Sequence, residues 1–186
     1  MKRMFVILGL LAALALSLGA AAVLADGENG GEPTCVSKAN GSDSNDLSGH
    51  AHRRFGKNQS GTSGDDTING AGGDDRESGH KGDDIIDGNG GNDHIDGGSG
   101  DDELCGDKGN DHINGDSGDD DISGGAGNDT VIGGPGHDVL RGGHGDDTTK
   151  ANDGVKDKIY CGPGDDTVTA DKVDRVASDC EHVTRS

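Results

Sequence analysis

The stretch Gly79–Arg141 reads GHKGDDIID, GNGGNDHID, GGSGDDELC, GDKGNDHIN, GDSGDDDIS, GGAGNDTVI, GGPGHDVLR: one nine-residue phrase written seven times without a slip of register. Counted from the first glycine of each phrase, the fourth residue is always Gly, the sixth always Asp and the eighth always Ile, Leu or Val. A fixed short period of this kind marks a solenoid, in which each repeat buries its apolar residue against its neighbours. Outward from this stretch, ten consecutive phrases fit between Gly61 and Lys150. The outer ones are imperfect. Glu77 and Thr149 stand at the eighth position, so the stack is expected to fray or be capped near both. Ala151 reads as one inserted residue, after which the phase resumes with Asp157 and Ile159, then Asp166 and Val168.

The 186 residues include 37 glycines, and only 28% are hydrophobic, too few for an ordinary core. Without Lys2 and Arg3, which lie in the leader read below, fourteen basic residues face 36 acidic ones, a net charge of −22. Such a composition alone would read as disorder, but a disordered acidic tail has no reason to place Asp every ninth residue between glycines. The charge also excludes nucleic acid and anionic membranes as partners, because affinity for both comes from Lys and Arg.

Residues 1–25 begin with Lys2 and Arg3, run apolar from Phe5 to Leu18 and end in the small-residue pattern Val23-Leu24-Ala25. They read as a secretory signal peptide. A membrane anchor is the competing reading of the same segment, and the small-residue end followed by Asp26 favours cleavage, hence a secreted, extracellular product with no membrane insertion. Residues 26–60 are rich in Gly, Ser and Asn and read as a flexible arm, with a short basic patch at His52–Lys57. Residues 61–169 carry the repeats. Residues 170–186 lose the glycines but keep an acidic-x-aliphatic beat, Asp174 with Val176 and Glu181 with Val183, and are expected to close the stack as a cap.

The phrase resembles the RTX, or hemolysin-type, calcium-binding nonapeptide repeat, G-G-x-G-x-D-x-U-x. The resemblance is strict over 61–150 and loose over 152–169. It implies an all-β fold, a parallel β-roll (β-solenoid) with a short C-terminal cap. In such a roll the first six residues of a phrase form a turn, the last three a short strand, and two phrases one coil. Calcium would sit between successive turns on the same side. Carried onto this chain, one side holds Asp66, Asp84, Asp102, Asp120 and Asp138, and the other Asp75, Asp93, Asp111, Asp129 and Asp147. The fourth-position glycines Gly82, Gly91, Gly100, Gly109, Gly118, Gly127 and Gly136 complete the expected calcium loops. The chemistry agrees, since calcium takes six to eight oxygens and glycine turns can turn carbonyls inward. Four gaps per side give about eight ions. Ten aliphatic side chains cannot offset the entropy of ordering about ninety glycine-rich residues, so the roll is expected to be disordered without calcium and to fold on binding it.

Cys35, Cys105, Cys161 and Cys180 form an even set in a chain read as exported, so disulfides are the default and three connectivities are open. With the 18-residue coil implied by the resemblance, Cys161 and Cys180 fall close to one coil apart and are the expected pair. Cys35 and Cys105 then follow by elimination. His94 and His112 share the seventh position two phrases apart and should lie one above the other on an outer face, solvated rather than metal-bound.

No HExxH or GxSxG motif occurs, and the segment before the repeats is too short for a catalytic domain, so no enzymatic activity is expected. The seventh position reads Thr, Arg, Ile, His, Glu, His, Asp, Thr, Val and Thr, which is no ice-binding ladder. The sequence points to a secreted calcium-binding structural or surface-interaction module. The alternatives are a calcium-stiffened accessory of a separate secreted enzyme, or an extracellular calcium buffer.

Overall fold

The computed structural model describes residues 58–186. The expected signal peptide, Cys35, the basic patch at 52–57 and all of the arm before residue 58 lie outside the described residues. Fifteen short strands follow one another: β1 (Asn58–Ser60), β2 (Thr67–Gly72), β3 (Arg76–Lys81), β4 (Ile85–Gly90) and β5 (His94–Ser99). Next come β6 (Glu103–Lys108), β7 (His112–Ser117), β8 (Asp121–Ala126), β9 (Thr130–Ile132) and β10 (Val139–His144). The last are β11 (Thr148–Ala151), β12 (Lys158–Tyr160), β13 (Thr167–Ala170), β14 (Arg175–Val176) and β15 (His182–Arg185). Odd-numbered strands form one sheet of eight and even-numbered strands a second of seven, every pairing parallel. The chain therefore alternates between sheets at every turn, one strand per phrase and one coil per two phrases. The fold is the parallel β-roll that the resemblance implies.

Strand periodicity decides what faces inward. Within each phrase the sixth and eighth residues and the first residue of the next phrase point inside, while the seventh and ninth face out. Ile68, Ile86, Leu104, Ile122, Leu140 and Ile159 stack in the seven-stranded sheet. Ile95, Ile113, Val131 and Val168 stack opposite them, and all ten are fully buried. As far as β11 the register advances by 18 residues per coil, as in Ile95↔Ile113; it then advances by 19, as in Leu140↔Ile159, and by 17 and 15 in the tail, as in Ile159↔Val176 and Val168↔Val183. Each aliphatic contributes about 1.5–3 kcal/mol by its burial, but there is only one per half coil.

Glu77 and Thr149 do not end the stack. Both are buried, and the sheet passes each of them: Gln59 pairs with Glu77 before it, and Thr149 lies between Val131 and Val168. The reason is that parallel strands are joined through their backbones, and Thr has the branched shape of the valines on either side. The first strand also falls at the end of the segment read as a flexible arm, where Asn58–Ser60 pairs with β3. Ala151 is not the inserted residue. It continues β11, is buried, takes the place of a first-position glycine and pairs with Ala170, so the extra residue is absorbed in the following turn, 152–156.

The tail extends both sheets through β14 and β15, with Ile159↔Val176 and Val168↔Val183 in register. Cys161 and Cys180 are bridged, with Cα atoms 5.2 Å apart, so the last coil is tied to the one beneath it. Cys105 is also disulfide-bonded; Cys35, its expected partner, lies outside the described residues. The bridge closes a loop whose constraint on the unfolded chain is worth about 3 kcal/mol. Replacing Cys161 and Cys180 together by Ala should therefore lower the stability of the folded roll by about 2–4 kcal/mol. Hydrogen exchange should show the loss of protection first in β14 and β15.

Candidate metal centre

At each turn the chain passes from one sheet to the other within six residues. The sixth-position Asp enters the interior at the narrow end of the coil, where the first-position glycine of its own phrase leaves room for it. A Cβ placed on Gly97 would lie 2.5 Å from Asp102 Oδ2 and 2.8 Å from the carbonyl oxygen of Gly115, one coil further on. The carboxylate fills a space that any other residue at the first position would need.

One oxygen of each carboxylate ties adjacent coils. Asp84, Asp102, Asp120, Asp138 and Asp157 each accept through Oδ1 the backbone N–H of the acidic residue one coil earlier, at 2.7–2.9 Å, beginning with Asp66 N–H. On the other side Asp93, Asp111, Asp129, Asp147 and Asp166 do the same at 2.7–2.8 Å, beginning with Asp75 N–H. Asp174 and Glu181 end the two columns, accepting from Asp157 and Asp166 at 3.0 and 3.1 Å. The second oxygen is different. Oδ2 of Asp84, Asp93, Asp102, Asp111, Asp120, Asp129, Asp138, Asp147, Asp157 and Asp166 is buried with no hydrogen-bond partner. Asp66 and Asp75, in the first turns, have Oδ2 occupied by the N–H groups of Thr62 and Ala71, and at Asp66 it is Oδ1 that is buried without a partner.

The turn outside these columns is built from fourth-position glycines. Gly82, Gly91, Gly100, Gly109, Gly118 and Gly127 all have positive φ, for example 127° at Gly109 and 143° at Gly118. A side chain there would also strike the fourth-position residue of the coil below, whose carbonyl oxygen lies inside contact distance of the Cβ site at Gly100, Gly109, Gly118, Gly127 and Gly136. Gly136 keeps the second requirement without the positive φ. At these five turns the fourth-position carbonyl of one coil lies directly under the glycine of the next.

All ten expected aspartates fall into these two columns, five on each side as the period implies. Asp157 and Asp166 belong there equally, although the sequence reading did not count them as ligands; the acidic-x-aliphatic beat was their signal. Burial raises the carboxyl pKa of Asp84, Asp102, Asp111, Asp129, Asp138 and Asp157 to about 6, and of Asp93, Asp120 and Asp147 to about 7, against the lowering effect of the Oδ1 hydrogen bond. Neighbouring carboxylates push most of these further up. Glu77 rises to about 8, by burial first and then by Asp93 and Asp75.

Buried, partnerless carboxylate oxygens beside stacked carbonyls fit a hard cation that takes oxygen ligands, such as calcium. Among the described residues no three His, Cys, Asp or Glu side chains cluster as a metal site. A cation between two coils would therefore meet one carboxylate from each and draw its remaining ligands from the main chain. The histidines offer nothing comparable. His94 and His112 stack with ring centroids 5.0 Å apart and planes 6° from parallel, so their in-plane nitrogen lone pairs do not converge on one point.

A family model, that of the RTX calcium-binding nonapeptide repeat, matches in four copies at residues 60–76, 78–104, 104–131 and 123–154. No curated protein matches the chain.

The raised carboxyls have a definite consequence for pH. In the calcium-free chain the folded state holds protons that the unfolded state has already released between about pH 4 and 7. Stability without calcium should fall as pH rises through that window, and calcium, which competes with those protons, should bind more tightly across the same window and level off above about pH 8. Calcium titrations at pH 5, 6, 7 and 8 read this directly. Asp111→Ala, in mid-column, should weaken calcium-induced folding more than Asp66→Ala, whose Oδ2 is already hydrogen-bonded by Thr62; equal shifts in the titration midpoint would count against stacked sites.

Proposed function

Because the chain belongs to the family of RTX calcium-binding nonapeptide repeats, we propose that it is a calcium-dependent structural or surface-interaction module, exported by its N-terminal segment and folded outside the cell by the ions it binds. The observation that carries this reading is the pair of carboxylate columns, in which each aspartate from Asp84 to Asp157 and from Asp93 to Asp166 has Oδ1 bonded to the neighbouring coil and Oδ2 buried without a donor. Asp66 through Asp138 on one edge and Asp75 through Asp147 on the other are the ligands in this reading, with the fourth-position turns supplying carbonyls.

The proposed role is one of folding rather than chemistry. Carboxylates held between coils by main-chain donors and a cation are poorly placed to shuttle protons, which favours a non-enzymatic role. The columns alternate along the whole roll, so cations would neutralise the charge repulsion of every coil at once. Where calcium is scarce the columns repel and the glycine-rich backbone regains its entropy. In calcium-rich surroundings the same chain becomes a rigid roll that presents two patterned faces.

Far-UV circular dichroism of the protein during a calcium titration, with magnesium as control, tests this. The expected result is a coil spectrum turning to β steeply with calcium alone. A β spectrum already complete in chelator would reduce calcium from the cause of the fold to a ligand of it, and a coil spectrum in every condition would overturn the reading.

A further inference from the structure

The two edges of the roll share their sixth-position aspartates but differ at the fifth position. Beside Asp66, Asp84, Asp102, Asp120 and Asp138 stand Asp65, Asp83, Asp101, Asp119 and His137. Beside Asp75, Asp93, Asp111, Asp129 and Asp147 stand Asp74, Asn92, Asn110, Asn128 and Asp146. These side chains are exposed, and they make a ladder of their own that runs opposite to the buried one. Each Asp and Asn of the set accepts the fifth-position amide of the next coil, whereas in this ladder His137 only donates its own N–H, to Asp119 Oδ1. Asp65 Oδ1 binds Asp83 N–H at 3.0 Å, Asp83 Oδ1 binds Asp101 N–H at 3.0 Å and Asp101 Oδ1 binds Asp119 N–H at 2.9 Å. On the other edge Asp74, Asn92 and Asn110 bind the N–H groups of Asn92, Asn110 and Asn128, all at 2.8 Å.

The placement is the same on both edges. Measured from the Cβ site of the fourth-position glycine of the next coil, Asp83 Oδ1 lies 3.0 Å from Gly100 and Asn110 Oδ1 lies 3.0 Å from Gly127. An amide oxygen accepts this hydrogen bond as a carboxylate does, so the ladder itself requires no difference between edges. Charge is what differs. Along the first edge, the five gaps from Asp66 to Asp157 are flanked by two, two, two, one and no fifth-position carboxylates. Along the second, the five gaps from Asp75 to Asp166 are flanked by one, none, none, one and two, so the contrast belongs to the coils from Asp66 to Asp129.

We propose that the two edges are two classes of calcium site, tight along Asp65, Asp83, Asp101 and Asp119 and weak along Asn92, Asn110 and Asn128, so that one edge fills before the other. This rests on the calcium-binding reading above. Charge count is a general lever on calcium affinity in oxygen sites. A carboxylate a few ångströms from a dication, exposed and partly screened by salt, should tighten binding about three- to tenfold. Between the two midpoints the coils from Asp66 to Asp129 are tied along one edge and open along the other.

Calcium titrations of the full chain by isothermal titration calorimetry, at low and high salt, test the assignment with two isosteric triple variants. Asp83→Asn with Asp101→Asn and Asp119→Asn should weaken the tight class at least threefold, flatten its salt dependence and bring the two classes together. Asn92→Asp with Asn110→Asp and Asn128→Asp should leave the tight class in place and strengthen the weak one by a similar factor. Both sets keep the Oδ1 acceptor, and circular dichroism at saturating calcium confirms that each variant folds. A single class of site in the unchanged protein, or equal midpoints in all three proteins, would overturn the inference while leaving calcium binding intact. Absence of calcium binding in the unchanged protein would overturn both.

Discussion

A carboxylate oxygen sealed in the narrow end of a coil with no donor is the constraint on which this structure turns. Ten such atoms line the roll in two columns. Their sister oxygens are spent on backbone N–H groups, which aligns the coils but leaves the charge standing. Removing a charge from water without a partner is costly, and the raised carboxyl pKa values are the protein's response when only protons are on hand. A divalent cation answers the same need more completely, because it offers charge and fills the empty coordination at once.

The rest of the phrase serves that arrangement. First-position glycines give the carboxylate its space, fourth-position glycines let turn carbonyls stack, and the single aliphatic residue per phrase closes the middle of the coil. The hydrophobic core is thin for this reason: the ends of each coil, where a globular protein would place more apolar side chains, are given to acids. The same economy explains the tail. Asp174 and Glu181 continue the columns although their turns have shortened, and the Cys161–Cys180 bridge supplies a covalent tie in the last coil.

Most of the roll was legible in the sequence because its determinants are strictly periodic. Gly, Asp and the aliphatic residue recur at fixed positions, and with the two-phrase coil that the resemblance implies they place like positions of alternate phrases one above the other, as Ile95 and Ile113 are. What escaped notice lay where the side chain and the backbone part company. Glu77 and Thr149 looked like ends because they break the apolar column, yet the hydrogen bonds between parallel strands do not pass through side chains. Ala151 looked like an insertion because it lacks the glycine pattern, although it needs only to be small. The fifth-position ladder is a different case: Asp and Asn alternate strictly from Asp83 to Asn128, but only the structure shows that both use the same oxygen for the same amide.

The stacked architecture also has a mechanical meaning. Coils joined one above another bear tension along the axis in series, so the roll is as strong as its weakest joint. At the C-terminal end that joint is covalent. At the other end, Gln59 faces Glu77 where every later coil has at least a Thr, Val or Ile, and their side-chain link is long, 3.4 Å. A pull applied at Asn58 and Ser186 would peel the roll from its N-terminal side, coil by coil. Each step would pay out about 18 residues of slack, so the roll would lengthen as a ratcheted tether instead of snapping as a rod.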